Sequence, residues 1–80
     1  MWYFTVKQQD LNNKQYQSMQ ALAELTEVIN FSEPFHNFCL FDVKKERYQR
    51  VMDFLDMEGI SYALSASRPT RDELLASMQP

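Results

Sequence analysis

Two residues with chemical reach stand close together in the segment "EPFHNFCLFDV": His36 and Cys39, the chain's single histidine and single cysteine. An H-x-x-C pair can contribute two ligands to a metal, but a structural zinc site takes four, and no further cysteine or histidine exists to complete it. A Cys–His nucleophile pair needs both side chains on one side of the backbone. In a strand, residues three apart point to opposite faces. The expected state of Cys39 is therefore a small buried hydrophobe, with His36 near a turn. Arg68 and Arg71 flank the start of a short helix in "SRPTRDELL" and could hold an anion, but no glycine-rich loop accompanies them, and a solvated pair is expected. No catalytic, cofactor-binding or metal-ligating residue is assigned, and the expectation is a non-enzymatic protein.

Composition bounds what the chain can be. Eighty residues, 45% of them hydrophobic and 14% aromatic, suffice for a single domain with one core. The net charge of −3 weighs against nucleic acid as the main ligand, because phosphate binding needs a clustered excess of lysine and arginine. The start "MWYFTVKQQD" lacks a basic segment leading into an apolar one, and no apolar run reaches the roughly 18 residues of a membrane span. One cysteine cannot close a disulfide, which agrees with a reducing compartment. The expected setting is cytoplasmic, with no membrane partner.

Hydrophobic periodicity supplies the elements that must carry any site. "MWYFTVK" alternates Trp2, Phe4 and Val6 against Tyr3, Thr5 and Lys7, the pattern of a strand. Asp10 or Asn12 can cap a helix running to about Ile29, with Leu11, Leu22, Leu25 and Ile29 on one line. "NFSEPFHNFCLFDV" predicts a hairpin, residues 30–35 and 37–43, with Pro34 on an edge. Asp42 is a candidate N-cap for a second helix bearing Tyr48, Val51, Met52 and Leu55. Gly59 is expected to end that helix in a left-handed conformation, followed by Ile60. "ISYALSAS" alternates as a last strand, and Thr70 with Glu73 has capping-box spacing before a final helix with Leu74, Leu75 and Met78.

The order βαββαβ resembles the ferredoxin-like split βαβ arrangement, an α+β two-layer sandwich, over residues 1–67, with 68–80 as an added capped helix. A three-stranded βαβαβ layer is the alternative. The fold resemblance implies an antiparallel sheet with two helices on one face and an open second face bearing Tyr3, Thr5, Phe38, Leu40 and Ala63. Such an apolar patch would be closed by a partner, by a second copy or by the last helix. "FCLF" also resembles the end of the third-strand signature of RNA-recognition-motif domains, whose stacking aromatics would correspond to Tyr3 and Phe38. The basic residue and glycines of that signature are missing.

A second surface comes from "KKERYQR". Lys44, Lys45, Arg47 and Arg50 gather at the start of the second helix and Asp53, Asp56 and Glu58 at its end, an order that opposes the helix macrodipole. Patterns that work against local stability point to another use, here an acidic surface on a partner. The expected function is protein–protein contact through Tyr3, Thr5, Phe38, Leu40, Lys44, Lys45, Arg47 and Arg50. An inhibitor or accessory factor of a phage or mobile element is one such protein. The alternatives are single-stranded nucleic-acid binding on the sheet face and a small-ligand sensor dimer.

Overall fold

The computed structural model describes residues 1–79. Its first strand, β1 (Trp2–Lys7), keeps the predicted alternation: Phe4 and Val6 are enclosed by the main core, with Trp2 packed against it. A single 3₁₀ turn (Gln8–Asp10) leads to α1 (Asn13–Leu22). Asn12 caps α1, accepting from the Gln15 N–H at 2.8 Å, while the Gln15 side chain accepts from the Asn12 N–H at 3.0 Å.

The first helix does not continue to Ile29. Ala23 leaves helical geometry with ψ 154, and Leu25–Ile29 forms the strand β2. Leu22, Leu25 and Ile29 do line up at helical spacing, but "LTEVI" also alternates and carries three β-branched residues, which favour a pleated surface. Pairing decides between them: β2 lies antiparallel to β3 (Phe38–Val43), with Val28 opposite Cys39 and Glu27 opposite Leu40. The expected hairpin therefore uses residues 25–29 as its first strand, not 30–35, which belong to the connecting loop.

The second helix, α2 (Tyr48–Met57), starts after a turn closed by the Arg47 N–H donating to the Lys44 carbonyl at 2.9 Å. Asp42 is not its cap, because it is held inside β3. Gly59 ends α2 with φ +69. The Gly59 N–H donates to Asp56 O (3.2 Å) and the Ile60 N–H to Leu55 O (2.9 Å), the two bonds of a Schellman motif. The last strand is shorter than its alternation suggested, only β4 (Ala63–Ser65). Thr70 and Glu73 form the predicted capping box of α3 (Arg71–Ser77).

The result is an α+β fold with one four-stranded sheet in the order β2-β3-β1-β4, every neighbouring pair antiparallel. Four strands exclude the three-stranded alternative. One sheet face packs under α1 and α2 through Phe4, Val6, Cys39, Phe41 and Val43 against Met19, Val51, Leu55 and Ile60. Aromatic contacts close its margins: Trp2 on Tyr48 (5.6 Å), Phe4 on Tyr62 (5.6 Å) and Tyr16 on Phe41 (6.0 Å). Among the described residues, no helix is long and apolar enough to cross a membrane.

Candidate functional site

Strand register arranges the second sheet face in rows. Leu25, Asp42, Tyr3 and Ser65 form the first, Glu27, Leu40, Thr5 and Ala63 the second, and Ile29, Phe38 and Lys7 the third. This face is not open. Leu40 is 1% exposed, Thr5 6%, Phe38 7% and Asp42 8%, although α1 and α2 pack on the other side. The covering comes from the C-terminal segment together with Phe31 of the loop between β2 and β3.

That segment is anchored at two points. Arg68 lies over the first rows and donates to both carboxylate oxygens of Asp42, at 3.0 and 2.8 Å, and to Glu27. One guanidinium nitrogen, Nη1, is shared between the two Asp42 oxygens while Nη2 serves Glu27, so the one cation bridges two carboxylates on neighbouring strands. Arg71 stands 4.2 Å from the centre of the Phe31 ring, and Phe31 in turn meets Phe38 edge-on at 6.3 Å. Between these anchors Leu74 is buried, and the His36 N–H donates to Met78 Sδ at 3.2 Å. Arg68 and Arg71 are thus engaged with carboxylates and a ring while remaining partly exposed to solvent.

Of the residues expected on an open patch, Thr5, Phe38 and Leu40 are buried and Tyr3 is half-buried. Phe38 lies beneath Phe31, so it offers no stacking surface to a base in this arrangement. The opening that remains is a cleft of about 620 Å³ between α3 and the outer side of β1 and β4. Thr5 and Phe38 line it from the sheet, Lys7 and Asp10 from the rim, and Leu74 and Met78 from α3.

Lys44, Lys45, Arg47 and Arg50 are all exposed, but they divide into two kinds. Lys44 pairs with Glu24 at 3.1 Å, and Arg47 donates to the Ala21 carbonyl at 3.5 Å. Lys45 and Arg50 form no ion pair among the described residues. Close by, Leu25 is 53% exposed and Met1 56%. Both lie at the same end of the sheet, since Leu25 faces Asp42 across the ladder, Trp2 faces Val43, and Met1 shares a shallow hollow with Lys44 and Lys45.

Cys39 sits in the main core at 1% exposure, and burial pushes its thiol above the ordinary value of 9.0, so the nucleophilic thiolate is suppressed. His36 lies in the loop before β3 and lines the cleft, on the α3 side of the sheet. No group of three or more His, Cys, Asp or Glu side chains converges among the described residues. Comparison of the chain with protein-family models, with curated proteins and with solved structures finds no match.

Proposed function

We propose that the chain acts by protein–protein contact, through the end of the sheet where Leu25 and Met1 stand exposed beside Lys44, Lys45, Arg47 and Arg50. The observation that carries this reading is the juxtaposition itself. Two large apolar side chains, each more than half exposed, lie on either side of a cationic segment. Exposed apolar side chains next to charged ones offer a partner both apolar burial and charge complementarity. The fitting partner has an acidic surface, which the cations would attract over about a Debye length and release at high salt. The protein supplies binding in this reading, not chemistry.

The architecture is read here as the ferredoxin-like βαββαβ plait with an additional helix. The strand order and the antiparallel pairing of every neighbour support it. A homodimer through the second sheet face is not favoured, because α3 already occupies that face.

The test is affinity capture from source cells with the native chain and with a Lys45→Glu, Arg50→Glu variant, which leaves the Lys44–Glu24 pair and the Arg47 contact to Ala21 intact. A stoichiometric protein held by the native chain and lost by the variant supports the proposal. Retention by the variant, or the absence of any stoichiometric protein, overturns it.

A further inference from the structure

The cleft over Thr5 contains something that packing alone does not explain. Thr5 is 6% exposed, yet its hydroxyl makes no hydrogen bond among the described residues. Every fully enclosed side-chain polar atom of the described residues has a partner. The Thr5 oxygen is therefore not fully enclosed, and the cleft is an opening that Thr5 lines. A threonine at an opening differs from a valine in the hydrogen bond it can offer to whatever fills that opening, water or ligand.

Two charged groups stand beside it. Lys7 is two residues further along β1 and so on the same face, roughly 7 Å away. Asp10 lies on the 3₁₀ turn that continues the strand, and both residues line the cleft. Neither takes part in an ion pair among the described residues. One continuous segment thus presents a hydroxyl, a cation and an anion along one wall. Phe38, Leu74 and Met78 supply the apolar part of the lining, while Glu73 on α3, its carboxylate already accepting from the Thr70 N–H at 3.0 Å, His36 and three serines add polar surface. The cleft's volume, about 620 Å³, falls within the ~300–1,000 Å³ range of small-molecule sites.

We infer that this cleft binds a small zwitterion with an apolar side chain, of the kind represented by a free aliphatic amino acid. Its carboxylate lies between Lys7 and the Thr5 hydroxyl, its ammonium group meets Asp10, and its side chain rests on Phe38, Leu74 and Met78. A ligand with a carboxylate alone would leave Asp10 facing it as a like charge. A ligand with an amine alone would leave Lys7 in the same position. This site is separate from the exposed end of the sheet and does not depend on the protein contact proposed there.

The experiment is an NMR titration of the full chain with L-leucine, 4-methylpentanoate and 3-methylbutylamine. Leucine should give saturable shifts at Thr5, Lys7 and Leu74, with a Kd of about 1 mM, as suits a ligand of its size. Each one-sided analogue should bind about tenfold more weakly, and Thr5→Val, Lys7→Gln and Asp10→Asn should each weaken leucine binding about fivefold or more. The three variants alter exposed or cleft-facing groups, and dispersed spectra will show that they fold. The inference is overturned by no saturable shift with leucine up to about 10 mM, by an analogue that equals leucine, or by leucine affinity unchanged in all three variants.

Discussion

Arg68 offers the sharpest test of how the second sheet face is closed. Replacing it with methionine keeps an unbranched apolar stem for packing but removes the guanidinium from Asp42 and Glu27. The two acceptors do not count equally. The Asp42 side chain is 12% exposed, whereas Glu27 is 50% exposed. Removing one partner of a fully buried pair costs about 3–5 kcal/mol, because the other charge is left without compensation. Exposed pairs contribute about 0–1 kcal/mol. Since Arg68 is itself 39% exposed, solvent screens the Asp42 arm in part, and the Glu27 arm falls to a few tenths. The loss on Arg68→Met should be about 2 kcal/mol.

For a domain of this size that loss lowers the melting temperature by roughly 8–16 °C. Urea unfolding gives the same quantity as a shift in midpoint at constant slope. A double-mutant cycle separates the ion pair from general effects. Asp42→Asn should make Arg68→Met much less harmful, with a coupling of about 1–2 kcal/mol. Amide exchange adds a local reading, because the Leu74 N–H in α3 should lose protection ahead of amides in α2. A change under about 0.5 kcal/mol for Arg68→Met, or full additivity with Asp42→Asn, would refute the anchoring role.

Two further outcomes follow from single positions. Gly59→Ala should lose about 1 kcal/mol, seen as a lower melting temperature, because φ +69 strains any Cβ although nothing lies within 4 Å of one. Stability should also fall as pH rises past 9.0, the ordinary thiol value, because the unfolded chain releases the Cys39 proton there while burial keeps it on the folded chain. Replacing Cys39 with alanine should flatten that part of the pH profile, and an unchanged slope would remove the thiol as its source.

The features legible in the sequence were those decided by local geometry. Gly59 with Ile60 and Thr70 with Glu73 were read correctly, because a left-handed residue and a capping box depend on a few neighbouring atoms. The strand at residues 25–29 was missed because helical spacing and strand alternation coexist in "ALAELTEVI", and only pairing with β3 separates them. Asp42 reads as a cap in the sequence because nothing local marks Arg68, 26 residues away, as its partner. The closing of the second face left one readable sign. All six residues of β3 are buried, and "FCLF" is an uninterrupted apolar run, the mark of a strand covered on both sides rather than one. Phe38 and Leu40 were thereby informative about α3, not about an exposed patch.

The charges of α2 change meaning once the helices are packed together. Read within α2 alone, Arg47 opposes the macrodipole at the helix N-terminus. In the fold its guanidinium reaches the Ala21 carbonyl, in the last turn of α1, where a cation is favourable. Lys44 is likewise matched to Glu24, just beyond the same helix end. These two residues therefore have an internal reason to be basic. Lys45 and Arg50 have none among the described residues, and Arg50 still sits in the first turn of α2, against its dipole. If the exposed end of the sheet meets an acidic partner, the surplus charge that draws it is carried first by this pair. Charge reversal at Lys45 and Arg50 should then weaken binding while leaving the free protein's melting temperature unchanged or slightly higher. Reversal at Lys44 and Arg47 should lower both.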